Sequence, residues 1–342
     1  MDELELIEEI RRRFGTEASD RIKKGIGDDA AVLLPSRGLL LLTTDIMVEN
    51  LHFDLSFMSP RDIGFKLVAR NVSDIFAMAG EPEFMLLDLC LPQQLLLSHQ
   101  KRTVHEFVEA LFDGIEEGLK RYSVTLIGGD LSTSPGKIYL SATLTGSSER
   151  PVFRSGARPG DLIYVTGTLG DSSCGLEILK RTITSMGGEV TVGGEVTVVK
   201  DTEIPSEIKK PLLKKALSPE PEPVHKKINK INAMIDISDG LAIDLWRLCR
   251  ESAVGAVIYQ DKIPISKEVR EASRLLGLDP LSFALSGGED YELLFTTENR
   301  IKEEGITEIG FIKEGDNLSI IDGSGIERPL KPEGYIHRWG QK

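Results

Sequence analysis

Apolar residues recur along the chain with two periods, near 3.6 and near 2 residues, which predict helices and strands respectively. One helix is predicted over residues 3–14, and another from Pro60, which follows Ser59 as at a typical helix start, to about Gly80. A pair of strands at 30–34 and 39–45 is predicted to be joined by the turn Pro35-Ser36-Arg37-Gly38. The other elements predicted for this half of the chain are a strand at 84–91, a helix at 101–122 and strands at 124–127 and 137–146.

The alternation of helices and strands continues to the end of the chain and predicts an α/β protein with two domains. For 342 residues we expect a first domain over 1–150 and a second over 151–342. Residues 184–210 contain the sequence Gly-Gly-Glu-Val-Thr-Val twice in succession, at 187–198. We interpret this segment as an insertion outside either core, with a β-hairpin of alternating Val and Thr as the alternative.

The composition narrows the class of protein. A net charge of −13 argues against broad binding to nucleic acid or to an anionic membrane, so a polyanionic substrate is expected to arrive with its own metal. The three cysteines are widely spaced, which predicts neither a zinc site nor a disulfide framework. No export signal or run of about 18 apolar residues is seen, so a cytoplasmic protein without a membrane span is predicted.

Aspartates at the ends of apolar runs are the most informative chemical feature. Each run predicts a buried strand or packed helix that brings a carboxylate to the end of an element, where α/β proteins place ligands. Gathered carboxylates repel one another unless cations lie among them, and hard oxygen ligands select Mg²⁺ or Ca²⁺. Mg²⁺ in enzymes usually accompanies phosphates, so a metal-dependent site for phosphate chemistry is predicted. These aspartates are Asp28, Asp29, Asp45, Asp74, Asp130, Asp236 and Asp239.

Several of these features also have a purely structural interpretation. Asp239 could cap the helix that follows it, and Gly25 to Asp29 could be a turn. The segment 286–291, Ser-Gly-Gly-Glu-Asp-Tyr, could be a turn or could bring acidic side chains to a ligand. No GxxxxGK[ST] loop is present, so ATP would have to be held in another way.

Nine segments in order resemble thiamine-monophosphate kinases, a family in the superfamily of aminoimidazole ribonucleotide synthetase. They are IGDDAAV, LLTTDIMVENLHF, ARNVSDIFAMAG, LIGGDLS, RSGARPGD, VTGTLGDSSCGL, IDISDGL, SGGEDYELLFT and the terminal GY-H. The resemblance covers the chain from about Ile26 to His337, with 184–210 outside it. Two departures are visible: Tyr335 stands where the family often has Trp, so that the nearby Trp339 could share its role, and 221–225 lacks a usual arginine.

The resemblance implies a two-domain fold like that of aminoimidazole ribonucleotide synthetase, whose N-terminal domains pair in a homodimer and bind ATP and several Mg²⁺ ions. It implies these metal ligands: Asp29, Thr43, Thr44, Asp45, Asp74, Asp130, Asp236 and Asp239. The implied ATP contacts are Gly129, Asp130, Arg154 and Ser238. The implied substrate contacts are His52, Glu289 and Tyr335.

The implied reaction moves the γ-phosphoryl group of ATP onto thiamine monophosphate, directly and in line, as the last step of thiamine diphosphate biosynthesis. Because the attacking phosphate is already largely ionised near neutral pH, no catalytic general base is expected. The alternatives are another enzyme of the superfamily, an acidic metal-binding protein without catalysis, and an inactive structural partner. Selenophosphate synthetase would need a reactive cysteine near the N-terminus, whereas the first cysteine here is Cys90.

Overall fold

A computed structural model describes residues 3–15, 21–26, 30–35, 38–92, 103–185, 204–228 and 230–337. The chain divides into two compact units, Met1–Pro151 and Val152–Lys342. Each unit combines a β-sheet with helices, as the apolar periods predict. The two α/β units are taken in turn below.

Unit 1 combines a four-stranded sheet with two long helices that pack against each other. Its helices are α1 Glu3–Phe14, α2 Pro60–Ala77 and α3 Val104–Tyr122. Its strands are β1 Ile22–Lys24, β2 Val32–Leu33, β3 Leu39–Val48, β4 Glu81–Pro92, β5 Thr125–Ser134 and β6 Tyr139–Ser148. Within the described residues, β1 and β2 form a hairpin, and a separate four-stranded sheet has the order β3-β6-β4-β5.

The two faces of this four-stranded sheet differ in burial. One face carries fully buried Met47, Leu140, Ala142 and Met85, and α2 packs against β3, β6 and β4 on it. The opposite face leaves large apolar side chains in solvent, because every second strand residue points away from the helices. Those side chains are Leu40, Leu42, Ile46, Leu86 and Tyr139, each at least 36% exposed.

Local sequence explains the start and end of α2. Ser59 accepts a hydrogen bond from the backbone of Asp62, whose side chain accepts one back from Ser59, so that the two residues form a capping box. Pro60 follows at the first helical position. At the other end, Ala79 takes a left-handed backbone conformation with φ of 53°, one residue before the Gly80 that was predicted as the stop.

Unit 2 contains a mixed sheet, in which helices separate the first strands along the chain and the last four strands follow one another directly. Its helices are α4 Asp171–Ser185, α5 Ser206–Leu217, α6 Leu241–Ser252, α7 Lys267–Leu276 and α8 Pro280–Ser286, with 3₁₀ turns at Val224–Lys227 and Gln260–Lys262. Its strands are β7 Leu162–Thr166, β8 Ala233–Asp236, β9 Gly255–Tyr259, β10 Leu293–Thr297, β11 Ile306–Lys313, β12 Leu318–Ile321 and β13 Glu327–Pro329. In the described part of the unit they form one sheet of order β13-β12-β9-β11-β7-β10-β8.

Two expectations about local structure are wrong. The predicted pairing of strands 30–34 and 39–45 does not occur, because β2 pairs with β1 whereas β3 pairs along its whole length with β6. The segment 184–210 is not wholly outside the core, because α5 begins at Ser206 and Ile204 and Ile208 pack against buried Leu212 and its neighbours. The repeated hexapeptide at 187–198 lies outside the described residues.

Candidate functional site

The first group of predicted site residues gathers where β3 meets α2. The hydroxyl of Thr43 donates to the carboxylate of Asp74 at 2.5 Å, and this contact joins the strand to the last turn of the helix. One turn earlier on α2, Arg70 Nη2 lies 3.2 Å from Asp45 Oδ1. Asn71, three residues before Asp74 on α2, is fully buried, and its amide donates to the carbonyl of Leu67.

Thr43 and Asp45 lie on the helix-covered face of the sheet. Asp45 is directly opposite buried Ala142 on β6, and Thr43 is opposite buried Leu144. Thr44, between them, points to the other face, where its hydroxyl donates to the carbonyl of Ala142 and accepts from Thr143. Adjacent strand residues project to opposite faces, so the side chains of the Thr-Thr-Asp segment do not converge.

Asp130 and Gly129 lie within β5 rather than at its end. Asp130 is opposite Asp88 of β4, and Asp88 is opposite Ser141 of β6, which places both acids on the same face as Thr44. Burial raises the pKa of the Asp88 carboxyl, the backbone N–H of Asp130 lowers it, and the charge of Asp130 raises it further. Gly129 has φ of +152°, and a Cβ there would lie 1.8 Å from the carbonyl oxygen of Leu87, so this position requires glycine.

His52 lies just beyond β3, in a turn that is stabilised by a hydrogen bond to the His52 ring. Its Nδ1 accepts the backbone N–H of Val48 at 3.1 Å, which assigns the ring proton of neutral His52 to Nε2. The ring is partly exposed. Asp28 and Asp29, the first of the predicted acidic pairs, lie outside the described residues.

In unit 2, the loop between β8 and α6 is organised by an aspartate that follows it. The backbone N–H groups of Ser238, Asp239 and Gly240 all donate to Asp244 Oδ2, at 3.1, 3.0 and 3.1 Å. Asp244 is fully buried, and burial raises the pKa of its carboxyl to about 6. The interpretation of Asp239 as a helix cap is wrong, because Gly240 is the N-cap residue and no side chain caps it.

Asp239 is held by Arg247, which lies on α6. Arg247 Nη1 lies 2.5 Å from Asp239 Oδ2 and 2.6 Å from Asp244 Oδ1. The side chains of Asp239 and Arg247 are about a quarter to a third exposed, whereas that of Asp244 is not exposed at all. Asp236, three residues before Asp239, ends β8 opposite Leu293 of β10 and is almost fully buried.

Backbone hydrogen bonds hold two predicted substrate residues beside the loop between β8 and α6. The N–H of Glu289 donates to the carbonyl of Ser238 at 2.8 Å, and the N–H of Tyr335 donates to the carbonyl of Asp239 at 3.0 Å. The Glu289 backbone is left-handed, with φ of 67°. The Tyr335 side chain is 44% exposed and meets the His337 ring edge to face, with centroids 4.9 Å apart.

The segment that carries Glu289 is fixed by the next residue, Asp290. Its buried carboxylate accepts the N–H of Gly170 at 2.7 Å and that of Ser172 at 3.3 Å, at the start of α4. Burial raises the pKa of Asp290 well above its ordinary value, and the nearby charges of Asp171 and Glu292 act in the same direction. The 286–291 segment is therefore held to the start of α4 by Asp290, and it places the backbone of Glu289 beside the loop before α6.

Arg154 is the member of the unit 2 set that lies apart. Its carbonyl accepts the hydroxyl of Ser252, the last residue of α6, whereas Ser238 and Asp239 precede the first residue of that helix. A helix of 12 residues spans about 18 Å, so the two backbones lie at opposite ends of α6. The structure thus gathers Ser238, Asp239, Glu289 and Tyr335 but not Arg154.

Comparison with known proteins places this geometry in a family. The model of the N-terminal domain of AIR synthase related proteins matches residues 27–148, and that of the C-terminal domain matches 158–319. A thiamine-monophosphate kinase of Aquifex aeolicus is 37% identical over 92% of this chain and 93% of its own length. That of Bacillus subtilis is 32% identical over 98% of this chain and 99% of its own length.

A solved structure described as AaThiL complexed with AMPPCP and TMP superposes on this chain with a TM-score of 0.75. It shares 34% sequence identity, and the match covers 98% of this chain and 97% of that one. The chain belongs to the thiamine-monophosphate kinase family. The predicted family and the predicted two-domain α/β fold are thereby confirmed.

Magnesium, which the family resemblance implies, suits the donor chemistry of these residues. Thr43, Asp74 and Asp45 on one unit and Asp239 on the other supply hydroxyl and carboxylate oxygens, the ligands that Mg²⁺ prefers. In the described parts of the chain, no three His, Cys, Asp or Glu side chains are close enough to form a metal cage. Mg²⁺ is often held by one or two carboxylates together with waters and substrate phosphates, and each unit offers carboxylates of this kind.

Reasoning from motifs overlooked the residues that hold the predicted ligands in place. They are Arg70, Asp88, Asp244, Arg247 and Asp290. Asp244 and Arg247, three apart in an apolar helix, were visible as an intrahelical ion pair. Asp88 was visible as the only charged residue in the run from Phe84 to Pro92.

Proposed function

We propose that this chain transfers the γ-phosphoryl group of ATP to thiamine monophosphate and so produces thiamine diphosphate, the last step in making that cofactor. The observation that carries the proposal is the near full-length match to proteins named thiamine-monophosphate kinase, one of them at 37% identity. A solved relative bound to AMPPCP and TMP supports both substrates.

The acceptor explains why the proposed site needs no general base. A phosphate monoester has a second pKa of about 6, so its oxygen is already an anion near neutral pH. The main barrier is the repulsion between two polyanions, which positioned positive charge reduces. When bound, several Mg²⁺ ions would neutralise charge on the phosphates during direct, in-line transfer.

The residues of unit 1 are assigned by their contacts. We assign Thr43, Asp45 and Asp74 to metal binding, since Thr43 and Asp45 both contact α2 side chains, Asp74 and Arg70 respectively. Thr44 and Asp130 stay in the proposed metal set although they point to the other face of the sheet. Asp29, which lies outside the described residues, also stays in the set. Gly129 and Asp130 are also the proposed ATP contacts on β5.

The residues of unit 2 are assigned by the loop that joins them. Asp236 and Asp239 are the proposed metal ligands, and Ser238 between them is a proposed ATP contact. Arg154 is assigned to the ATP phosphates, for which a guanidinium group offers a fixed pair of donors.

Thiamine carries a cationic thiazolium ring, which suits an aromatic face with an acidic group nearby. Glu289 and the exposed ring of Tyr335 offer this pair, since their backbones bond to successive residues of the same loop. His52 is the third proposed substrate contact, and because its Nδ1 accepts the backbone N–H of Val48, the proton of the neutral ring lies on Nε2.

A homodimer is proposed through the open face of the unit 1 sheet. This face presents Leu42 at 66% exposure and Leu40 at 60%, an apolar strip of the kind that marks an interface. A second copy of the chain could cover this strip with its own identical face, as a two-fold interface requires. Sedimentation of Leu42→Glu should give monomers where the parent chain gives dimers, and a parent chain that sediments as a monomer would contradict this.

The proposed setting is cytoplasmic, with neither nucleic acid nor membrane as a partner. Among the helices of the described residues, none is long and apolar enough to cross a membrane. ATP and thiamine monophosphate are then the expected partners besides a second copy of the chain.

The acceptor can be tested directly. Purified protein is incubated with ATP, Mg²⁺ and either thiamine monophosphate or unphosphorylated thiamine, and the products are identified by mass. Thiamine diphosphate should form from thiamine monophosphate, whereas thiamine should remain unchanged because its hydroxyl would need a general base. Phosphorylation of thiamine itself, or of neither compound, would overturn the proposal.

A further inference from the structure

Arg247 holds an acid that the proposed function assigns to metal binding. One nitrogen, Nη1, bridges Asp239 Oδ2 at 2.5 Å and Asp244 Oδ1 at 2.6 Å. The Asp239 side chain is about a quarter exposed, so it is open to solvent ions as well as to Arg247. The guanidinium of Arg247 therefore supplies the positive charge beside Asp239 that a bound cation would otherwise supply.

Asp244 gives this arginine a second anchor that does not depend on Asp239. Its Oδ2 is saturated by three backbone N–H groups of the loop, and its Oδ1 faces Arg247. The Asp244 side chain is completely buried and is fixed by these bonds. If Asp239 turned toward a cation, Arg247 would keep a partner of opposite charge and would not be left without compensation.

We propose that Arg247 is a positioning residue that acts as an exchangeable counter-ion: it holds Asp239 in the metal-free protein, releases it to a divalent cation, and stays anchored on Asp244. The inference rests on the proposed role of Asp239 as a magnesium ligand. It adds that Mg²⁺ binding at this loop is a competition with a positive charge built into α6.

The competition has a predictable sign. Removing the arginine charge removes both a rival for Asp239 and a repulsion toward the incoming cation, so Mg²⁺ should bind more tightly. A single charge at about 5 Å from a divalent ion, in water-like dielectric and with physiological salt screening, changes affinity about five-fold. The metal-free protein should lose stability at the same time, because buried Asp244 then interacts with the charges of Asp236 and Asp239 without the guanidinium of Arg247.

The test uses the whole protein and reads thermal unfolding during a titration with Mg²⁺ alone, without turnover. Arg247→Gln should lower the unfolding temperature of the metal-free protein and lower the Mg²⁺ midpoint about five-fold. Arg247→Lys retains the charge and should have the midpoint of the parent chain. The matched control is Arg250→Gln, on the same helix, because Arg250 is exposed and stacks on the Trp246 ring at 5.1 Å.

The outcomes separate this inference from the proposed function. If Mg²⁺ does not stabilise the parent chain, or stabilises Asp239→Asn equally well, the metal role of Asp239 is wrong and the inference falls with it. If Asp239→Asn weakens the response but Arg247→Gln leaves the midpoint unchanged or raises it, the metal role stands and the counter-ion role of Arg247 is wrong.

A folding defect in Arg247→Gln is also informative. If the variant folds only when Mg²⁺ is present, the cation replaces the missing guanidinium, as the proposal requires. If it does not fold with Mg²⁺ either, whereas Arg250→Gln folds normally, Arg247 has a general structural role and the proposal is overturned.

Discussion

Replacing Gly129 with alanine tests the geometry of the strand that carries Asp130. A Cβ at this position would lie 1.8 Å from the carbonyl oxygen of Leu87, 2.6 Å from its carbonyl carbon and 2.8 Å from its nitrogen. These are backbone atoms of β4, so no side-chain rotation can relieve the clash. Gly128, next to it, is a matched control, since a Cβ there meets only the mobile Leu86 Cδ2, at 3.1 Å.

The loss of stability in Gly129→Ala follows from the displacement that it forces between β4 and β5. Strands pair at about 4.8 Å, and a displacement of more than about 1 Å would break the hydrogen bonds on either side of Leu87 and Gly129. Two lost bonds at about 1 kcal/mol each, with about 1 kcal/mol or more of backbone strain at this φ, amount to about 3 kcal/mol. That corresponds to a fall of roughly 6–12 °C in the unfolding temperature of a unit of this size.

The assay compares thermal unfolding and the KM for ATP in the two alanine variants. Gly129→Ala should show the large fall in unfolding temperature together with a raised KM, since Asp130 moves with the strand. Gly128→Ala should lose less than about 1 kcal/mol and keep its KM. Equal unfolding temperatures for the two variants would refute the described pairing of β4 with β5.

Three further results are expected. Asp45→Asn should lose more than about 100-fold in kcat and still unfold cooperatively, because the loss falls on phosphoryl transfer; normal turnover would remove Asp45 from the site. Tyr335→Ala should raise the KM for thiamine monophosphate about two- to thirty-fold with Tyr335→Phe nearly silent, whereas Arg154→Ala should weaken ATP use; a reversed pattern would exchange these assignments. Asp290→Asn should gain stability relative to the parent chain as pH rises through the raised pKa of Asp290, because the native state favours the protonated acid. Thermal unfolding of both proteins over a pH series checks this, and a difference in unfolding temperature that does not vary with pH would contradict it.

The predictable parts of this structure depend on neighbours in sequence. The start of α2 was predicted from Ser59 and Pro60 because capping is a local interaction, and it is confirmed. The partner of β3 was not predicted, since β3 pairs with β6 about a hundred residues later, and adjacency along the chain favoured the wrong hairpin. Nothing local distinguishes a strand that turns back on its neighbour from one that pairs with a distant strand.

The candidate site likewise has features that local sequence predicts and features that depend on the folded structure. The aspartates were visible as residue types, but the face on which each one points depends on strand register. Asp45 and Asp130 face opposite sides of one sheet, which follows only once β5 is aligned with β4 across the irregularity at Leu86. The loop before α6 was visible as a motif, yet its organisation by Asp244 required the backbone path through Gly240, with φ of 126°.

Phosphorus NMR of the complete reaction tests the central claim most directly. With ATP, Mg²⁺ and thiamine monophosphate present, the γ-phosphorus signal of ATP should disappear as the two diphosphate signals of thiamine diphosphate appear in equal amount, with no free phosphate. An enzyme that used ATP only to activate a substrate would instead release the γ-phosphoryl group as inorganic phosphate. The appearance of free phosphate without thiamine diphosphate would contradict the account.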